Sequence, residues 1–245
     1  MFYLIGIGLD EKDLSLRALK ILMNVDTIYA EFYTSPFSGK IENIERLLKR
    51  EVILLNREDI EENFENILIN SDKKDVALLV PGDPMVATTH SSLVMEARKL
   101  GIRTRIIHSS SIYSAIAETG LQVYKFGRTT SLPFPRRNYF PTSPYDVIKE
   151  NTERGLHTLI LLDIDMLINN AIDILLRIEK RRLEGIFNED RMCVGVARLG
   201  SEDSIIKYGR AESIREYDFG KPPHSLVVPG ELHFMEEEYL KFFRI

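Results

Sequence analysis

The apolar run Val76-Ala77-Leu78-Leu79-Val80, followed at once by Pro81-Gly82-Asp83-Pro84, most constrains what this chain can fold into. Five consecutive apolar residues without polar alternation describe a strand buried on both faces, the situation of a parallel sheet covered by helices. The strand then ends in a tight loop. Gly82 permits backbone angles closed to other residues, and the two prolines stiffen the turn. Asp83 is expected at the rim of the sheet's carboxyl edge, where open α/β folds bind their ligands. The same tetrapeptide is equally a good β-turn with no further role.

Short apolar runs alternate with segments of helical period as far as residue 108. Strands are expected over residues 2–7, 26–31, 51–55, 75–80 and 103–108, as in a parallel sheet. Asp13 is expected to cap a helix with the apolar stripe Leu14, Ala18, Leu19 and Leu22. Thr89 or a neighbour should open another, ending near Gly101. Beyond residue 109 the rhythm changes. Strand-like runs at 157–164, 191–198, 204–209 and 225–229 mix with helices near 143–153, 168–184 and 235–243. Two domains are therefore expected: an α/β domain over 1–108 and a mixed α+β domain over 109–245, with antiparallel pairing among the late strands. The segment from Pro133 to Pro144 holds four prolines among aromatics and reads as a long ordered loop. It serves either a ligand or partner, or only its own packing.

A chain of 245 residues can bury a substantial core. Its formal charge of -5, from 32 Lys+Arg against 37 Asp+Glu, gives no electrostatic reason for nonspecific nucleic-acid binding. The apolar start, Met1 to Leu9, lacks a basic n-region and a cleavage site, and reads as a strand. No apolar run reaches the roughly 18 residues that span a bilayer, so a cytoplasmic protein is expected. Cys193 lies in the apolar run Met192 to Ala197, as a buried inert thiol would.

Several chemistries fall away on spacing. Gly6-Ile7-Gly8-Leu9-Asp10-Glu11 has no third glycine at position 11 for a dinucleotide fingerprint. Asp10 breaks the glycine pattern of the commonest methyltransferase fold. What remains is a close backbone approach at Gly6 and Gly8, to a ligand or to a neighbouring element. There is no phosphate loop, and the five histidines (90, 108, 157, 224 and 233) have neither an i, i+4 pair nor a cysteine partner, so no metal site is expected. Ser109-Ser110-Ser111 reads as the turn opening a helix at Ile112. No histidine–carboxylate pair stands out. Asp163 and Asp165 would share one face if the strand before them continued, and as a pair could hold a cationic substrate; equally they read as the polar end of the strand and the cap of the next helix, Asp165 more so than Asp163. His224 reads as a satisfied structural histidine or a ligand contact.

Glu31-Phe32-Tyr33-Thr34-Ser35, Pro81 through His90, and Ser111-Ile112-Tyr113-Ser114-Ala115 together resemble one family. Gly120-Leu121-Gln122-Val123-Tyr124-Lys125-Phe126-Gly127, Gly155-Leu156-His157-Thr158-Leu159 through Asp163, and Pro222-Pro223-His224 through Gly230 extend the match nearly end to end. The family is the diphthine synthases of the tetrapyrrole methylase superfamily, in their archaeal form. The proline-glycine-aspartate-proline loop marks only the superfamily, whereas the Tyr-Lys-Phe-Gly and Gly-Leu-His-Thr-Leu segments are specific to the diphthine synthases.

The resemblance implies S-adenosylmethionine as methyl donor, a homodimer, and a donor cleft between two α/β domains. It implies elongation factor 2 as protein substrate, with methylation repeated on the amino group of a 3-amino-3-carboxypropyl-histidine. Donor contacts carried over by motif are Leu9, Asp83, Val86, Ser111, Ile112, Leu162, Leu199 and His224. Asp163 or Asp10 is the candidate for holding the increasingly cationic amine. The connection after Asp165 is shorter than in relatives and lacks their basic residues. Methylation of a tetrapyrrole or of ribosomal RNA, or noncatalytic binding of elongation factor 2, are the competing readings.

Overall fold

A computed structural model describes residues 1–35, 37, 39–71 and 74–245. The chain forms two compact units, Met1–Ala115 and Ile116–Ile245. In the first unit the elements run β1 (Phe2–Gly6), α1 (Leu16–Leu22), β2 (Thr27–Glu31), α2 (Ile41–Leu48), β3 (Ile53–Leu55), α3 (Arg57–Glu61), α4 (Phe64–Ser71), β4 (Val76–Val80), α5 (Ser91–Lys99), β5 (Thr104–Ile107) and α6 (Ile112–Ala115). The five strands pair in parallel in the order β3-β2-β4-β1-β5. All five expected strands are present, although β3 begins at Ile53 and not at residue 51.

Strand periodicity explains why both sheet faces are apolar. In β1 and β4, Ile5, Ala77 and Leu79 join Ala18, Leu22 and Ile44 on one face. Phe2, Leu4, Leu78 and Val80 join Ile60, Phe64, Leu93 and Val94 on the other. Helices thus cover both sides, as the unbroken apolar run of β4 requires.

The second unit runs β6 (Thr130–Leu132), α7 (Ser143–Glu153), β7 (Thr158–Leu162), α8 (Ile168–Arg182), β8 (Met192–Ala197), β9 (Ile205–Arg210), α9 (Ala211–Glu216), β10 (His224–Val228) and α10 (Phe234–Leu240). Its sheet has the order β6-β7-β10-β8-β9. Only β6 and β7 are parallel, and the late strands pair antiparallel as expected. The core joins Leu132, Ile160, Cys193, Leu226 and Val228 to the apolar stripe of α8, from Ile168 to Ile178. Cys193 is fully buried, and burial pushes its thiol up to about 12, consistent with an inert group.

Several expectations need correction. The loop after β5 stays with the first unit, since Ser109 N–H donates to Asp83 (3.2 Å) and Ser110 Oγ to Asp13 (2.5 Å). Asp13 does not cap α1. Ser15 does, accepting from Ala18 N–H at 3.1 Å, while Asp13 lies in a 3-10 turn over Glu11–Asp13. Asp163 and Asp165 do not continue β7 on one face: the strand stops at Leu162, Met166 N–H bonds back to Asp163 O, and Asp165 has φ 63°. The residue preceding α8 is Leu167, so Asp165 is not its cap. Strand β6 and helix α9 are additional: Thr130-Ser131-Leu132 has no apolar run of the kind that marks β3, and the six residues of α9 follow β9 without an intervening turn. The proline-rich segment is tightened by a bridge between Arg136 and Tyr139, and Arg181 lies over the Phe140 ring at 4.3 Å.

The glycines of the first strand settle their own alternatives. A Cβ on Gly6 would stand 2.5 Å from Gly82 O and 2.8 Å from the Pro84 ring, and one on Gly8 only 2.2 Å from Asp13 Cβ. The close approach is therefore to the Pro-Gly-Asp-Pro loop and to Asp13. Gly6→Ala is expected to destabilise the protein by about 1–3 kcal/mol through overpacking. Urea unfolding would show this as a lower midpoint at unchanged slope, and an unchanged midpoint would remove the packing role.

Candidate active site

Three loops leave the carboxyl edge of the first sheet side by side, because β1 lies between β4 and β5. Gly8 N–H donates to Gly82 O at 3.2 Å and Gly82 N–H to Gly8 O at 2.8 Å, which ties the loops after β1 and β4. Leu9 N–H donates to Ser110 Oγ (3.1 Å) and Asp13 Oδ2 (3.1 Å), tying the loops after β1 and β5. Asp83 closes the third side. Its Oδ1 accepts from Met85 N–H at 3.0 Å, and its Oδ2 accepts from Ser109 N–H at 3.2 Å and from His108 Nδ1 at 2.8 Å. It is buried at 7 % exposure, not held at the rim, since its oxygens serve loop backbone instead of water.

Five of the expected donor contacts lie on these loops. Asp83 and Ser111 are buried, while Leu9, Val86 and Ile112 are half-buried. Ser111 O accepts from Ser114 N–H and Ala115 N–H, which opens α6 as expected.

The other three lie in the second unit. Leu162 ends β7 half-buried, and Leu199 is buried just after β8. His224 opens β10 with both ring nitrogens engaged: Nδ1 accepts from Ile168 N–H at 3.3 Å and Nε2 donates to Lys221 O at 3.1 Å. Burial lowers its pKa, so the neutral ring is favoured. The preceding loop is held by Arg198, whose guanidinium reaches Phe219 O (2.8 Å) and Asp203 Oδ2 (2.6 Å).

Asp10 and Asp163 both have backbone partners. Asp10 Oδ1 accepts from Lys12 N–H at 3.0 Å as the cap of the 3-10 turn. Asp163 Oδ1 accepts from Ile164 N–H (3.0 Å) and Oδ2 from Phe134 N–H (3.1 Å), anchoring the proline-rich loop.

The absence of a histidine–carboxylate pair is also corrected. Among the described residues three such pairs form, each from residues far apart in sequence: His108 with Asp83, His90 with Glu31 (3.2 Å) and His157 with Glu236 (3.0 Å). Of these, only His108 is exposed, at 69 %. Spacing could not reveal the pairs; for His108 the available clue was its position at the end of an expected strand, just past β5. Among the described residues no group of three or more His, Cys, Asp or Glu is placed to hold a metal ion, and no helix is long and apolar enough to cross a membrane.

This arrangement has known counterparts. The sequence profile of the family described as Tetrapyrrole (Corrin/Porphyrin) Methylases matches residues 1–215. The diphthine synthase of Methanocaldococcus jannaschii is 49% identical over 252 residues, covering 99% of this chain and 98% of that protein. The diphthine synthase of Methanococcus aeolicus is also 49% identical, over 250 residues, with 99% and 97% coverage. The chain belongs to the diphthine synthase family of the tetrapyrrole methylases. A crystal structure of diphthine synthase superposes with a TM-score of 0.91 at 39% identity, covering 100% of this chain and 96% of that one. A conserved hypothetical protein from Aeropyrum pernix K1 superposes at 0.88 with 30% identity, covering 99% and 88%. Membership makes the chain a methyltransferase.

Residues 122–125 and His157 meet inside the second unit at a buried carboxylate, Glu236. Lys125 Nζ donates to Glu236 Oε2 at 2.5 Å and to Glu231 O at 2.6 Å. Gln122 N–H donates to Glu236 Oε1 at 2.8 Å and His233 N–H to Oε2 at 2.7 Å. His157, fully buried, donates from Nε2 to Glu236 Oε1 and accepts Gly230 N–H at Nδ1 (3.0 Å). An Nδ1 that accepts a backbone N–H carries no proton, so the ring is neutral. Burial lowers the His157 pKa and outweighs the raising effect of Glu236. For Glu236, burial raises the pKa, but bonds from His233, Lys125, Gln122 and His157 together hold it down to about 2.

Acid should therefore act in two windows. His157 takes up its proton below the ordinary 6.5, so the unfolded chain protonates first and stability falls as pH drops below 6.5. Glu236 contributes fully above its ordinary 4.5, and that contribution is lost as pH falls from 4.5 to about 2. Glu236→Gln is expected to be less stable at pH 7 and to flatten the lower window in urea unfolding. Parallel pH curves for the two proteins would exclude Glu236 as the titrating group.

Proposed function

We propose that this chain is a diphthine synthase: it transfers methyl groups from S-adenosylmethionine to the amino group of the 3-amino-3-carboxypropyl-histidine of elongation factor 2, repeatedly, in diphthamide biosynthesis. Near-half identity to diphthine synthases over almost the whole of both chains carries this reading. Relatives that match so completely favour a protein substrate over a tetrapyrrole or ribosomal RNA, and a net charge of -5 gives RNA no electrostatic attraction. The protein acts as a homodimer in the cytoplasm, without a metal.

Donor contacts are proposed at Leu9, Asp83, Val86, Ser111 and Ile112 of the first unit and at Leu162, Leu199 and His224 of the second. When bound, the donor supplies an electrophilic methyl carbon on a sulfonium. Transfer to an amine is an in-line displacement, so the chain's part is to align the two reactants, to exclude water and to remove a proton. No covalent nucleophile is needed. Leu9, Val86 and Ile112 offer apolar cover, and Asp83 keeps the loop backbones in place to meet the donor's polar atoms.

Mass spectrometry of elongation factor 2 bearing the aminocarboxypropyl-histidine, after incubation with the protein and S-adenosylmethionine, tests this. Stepwise mass increments on that one histidine, ending in the trimethylated amine, are expected. Donor binding without any increment on folded substrate would favour a noncatalytic role. Asp10→Asn and Asp163→Asn are expected to leave the successive methylation rates unchanged, because both carboxylates serve turns. A loss confined to the later methylations would give either residue the role of holding the cationic amine.

A further inference from the structure

We propose that His108, oriented by Asp83, is the general base that removes the proton from the substrate ammonium before each methyl transfer. The inference rests on the methyltransferase reading and adds to it the group that performs the proton step. An aliphatic amine is protonated near neutral pH and has no lone pair to offer until a proton leaves.

The geometry is that of an oriented base. Asp83 is buried and its Oδ2 lies 2.8 Å from His108 Nδ1, while the imidazole is 69 % exposed. A carboxylate only accepts, so Nδ1 carries the hydrogen and Nε2 presents its lone pair outward. The same carboxylate fixes the loop through Ser109 N–H and Met85 N–H, so the ring is set by the backbone that carries the proposed donor contacts Asp83, Val86, Ser111 and Ile112. Asp83 is the charged group bonded to the ring. Behind it Asp13 accepts from Ser109 Oγ through its carbonyl and from Ser110 Oγ through its side chain. The other two histidine–carboxylate pairs are buried and cannot reach a macromolecular substrate.

The step balances as follows. Nε2 takes one proton from the primary ammonium, and the freed lone pair attacks the methyl carbon. A carbon–nitrogen bond forms, the carbon–sulfur bond breaks, and its electron pair stays on sulfur. The imidazolium then returns its proton to water. The product ammonium still holds two protons, so two further rounds each remove one, and the trimethylated nitrogen has none left.

The test pairs a structural readout with kinetics. Imidazole nitrogen NMR of the wild-type protein should show neutral His108 protonated at Nδ1; a proton on Nε2 instead overturns the orientation. His108→Asn keeps a donor toward Asp83 without a base. It should bind S-adenosylhomocysteine as wild type does in a calorimetric titration, yet lose about 10²–10⁴-fold in single-turnover methylation, with a rate that climbs with pH throughout. Added imidazole should restore His108→Ala. A His108→Asn variant with wild-type rate and pH profile overturns the base role alone. Wild-type protein that binds donor but methylates nothing overturns the methyltransferase reading and the base role with it.

Discussion

The architecture of the candidate site depends on a buried carboxylate that bonds backbone from two loops. Asp83 accepts N–H groups from its own loop and from the loop after β5, while Gly8 and Gly82 clasp the loops after β1 and β4. Such loops have no ladder of their own, and each buried amide left without a partner would cost about 1–3 kcal/mol. Concentrating their donors on one carboxylate makes the edge of the sheet rigid. A rigid edge is what alignment of two reactants demands.

A second buried carboxylate organises the other unit by the same logic. Glu236 is fully inaccessible, yet it is matched by the Lys125 ammonium, two backbone N–H groups and His157. Breaking such a cluster by removing one partner leaves an uncompensated charge, whereas the intact cluster joins α10 to residues 122–125 and to the start of β7. Lys125 and His157 therefore serve architecture here. Gly127 follows the same rule: a Cβ there would stand 2.2 Å from Asn151 Oδ1, and Asn151 bonds Arg128 backbone and Thr158.

Much of this was legible along the chain. The unbroken apolar run of β4 required two covered faces, and the alternation of runs as far as residue 108 placed all five parallel strands. Helices α7 and α8 followed from their periodicity. Elements without an apolar run or a turn to set them off were not legible: β6 offers one buried leucine in three residues, and α9 follows β9 directly. Local capping also misled. Asp13 has the chemistry of a helix cap, but the competing bonds to Leu9 N–H and Ser110 Oγ claim it, and Ser15 caps α1 in its place.

The sequence by itself determined the class of fold and the family, because periodicity and motif are local properties of a chain. Only the tertiary structure decided which ionisable groups meet. Asp83 and His108 are 25 residues apart, His157 and Glu236 79. Their pairing is set by strand order and helix docking, which bring together groups that no spacing rule connects. Burial then decides their chemistry: it keeps His157 neutral inside the second unit, and it leaves His108 the one exposed ring among the histidine–carboxylate pairs of the described residues.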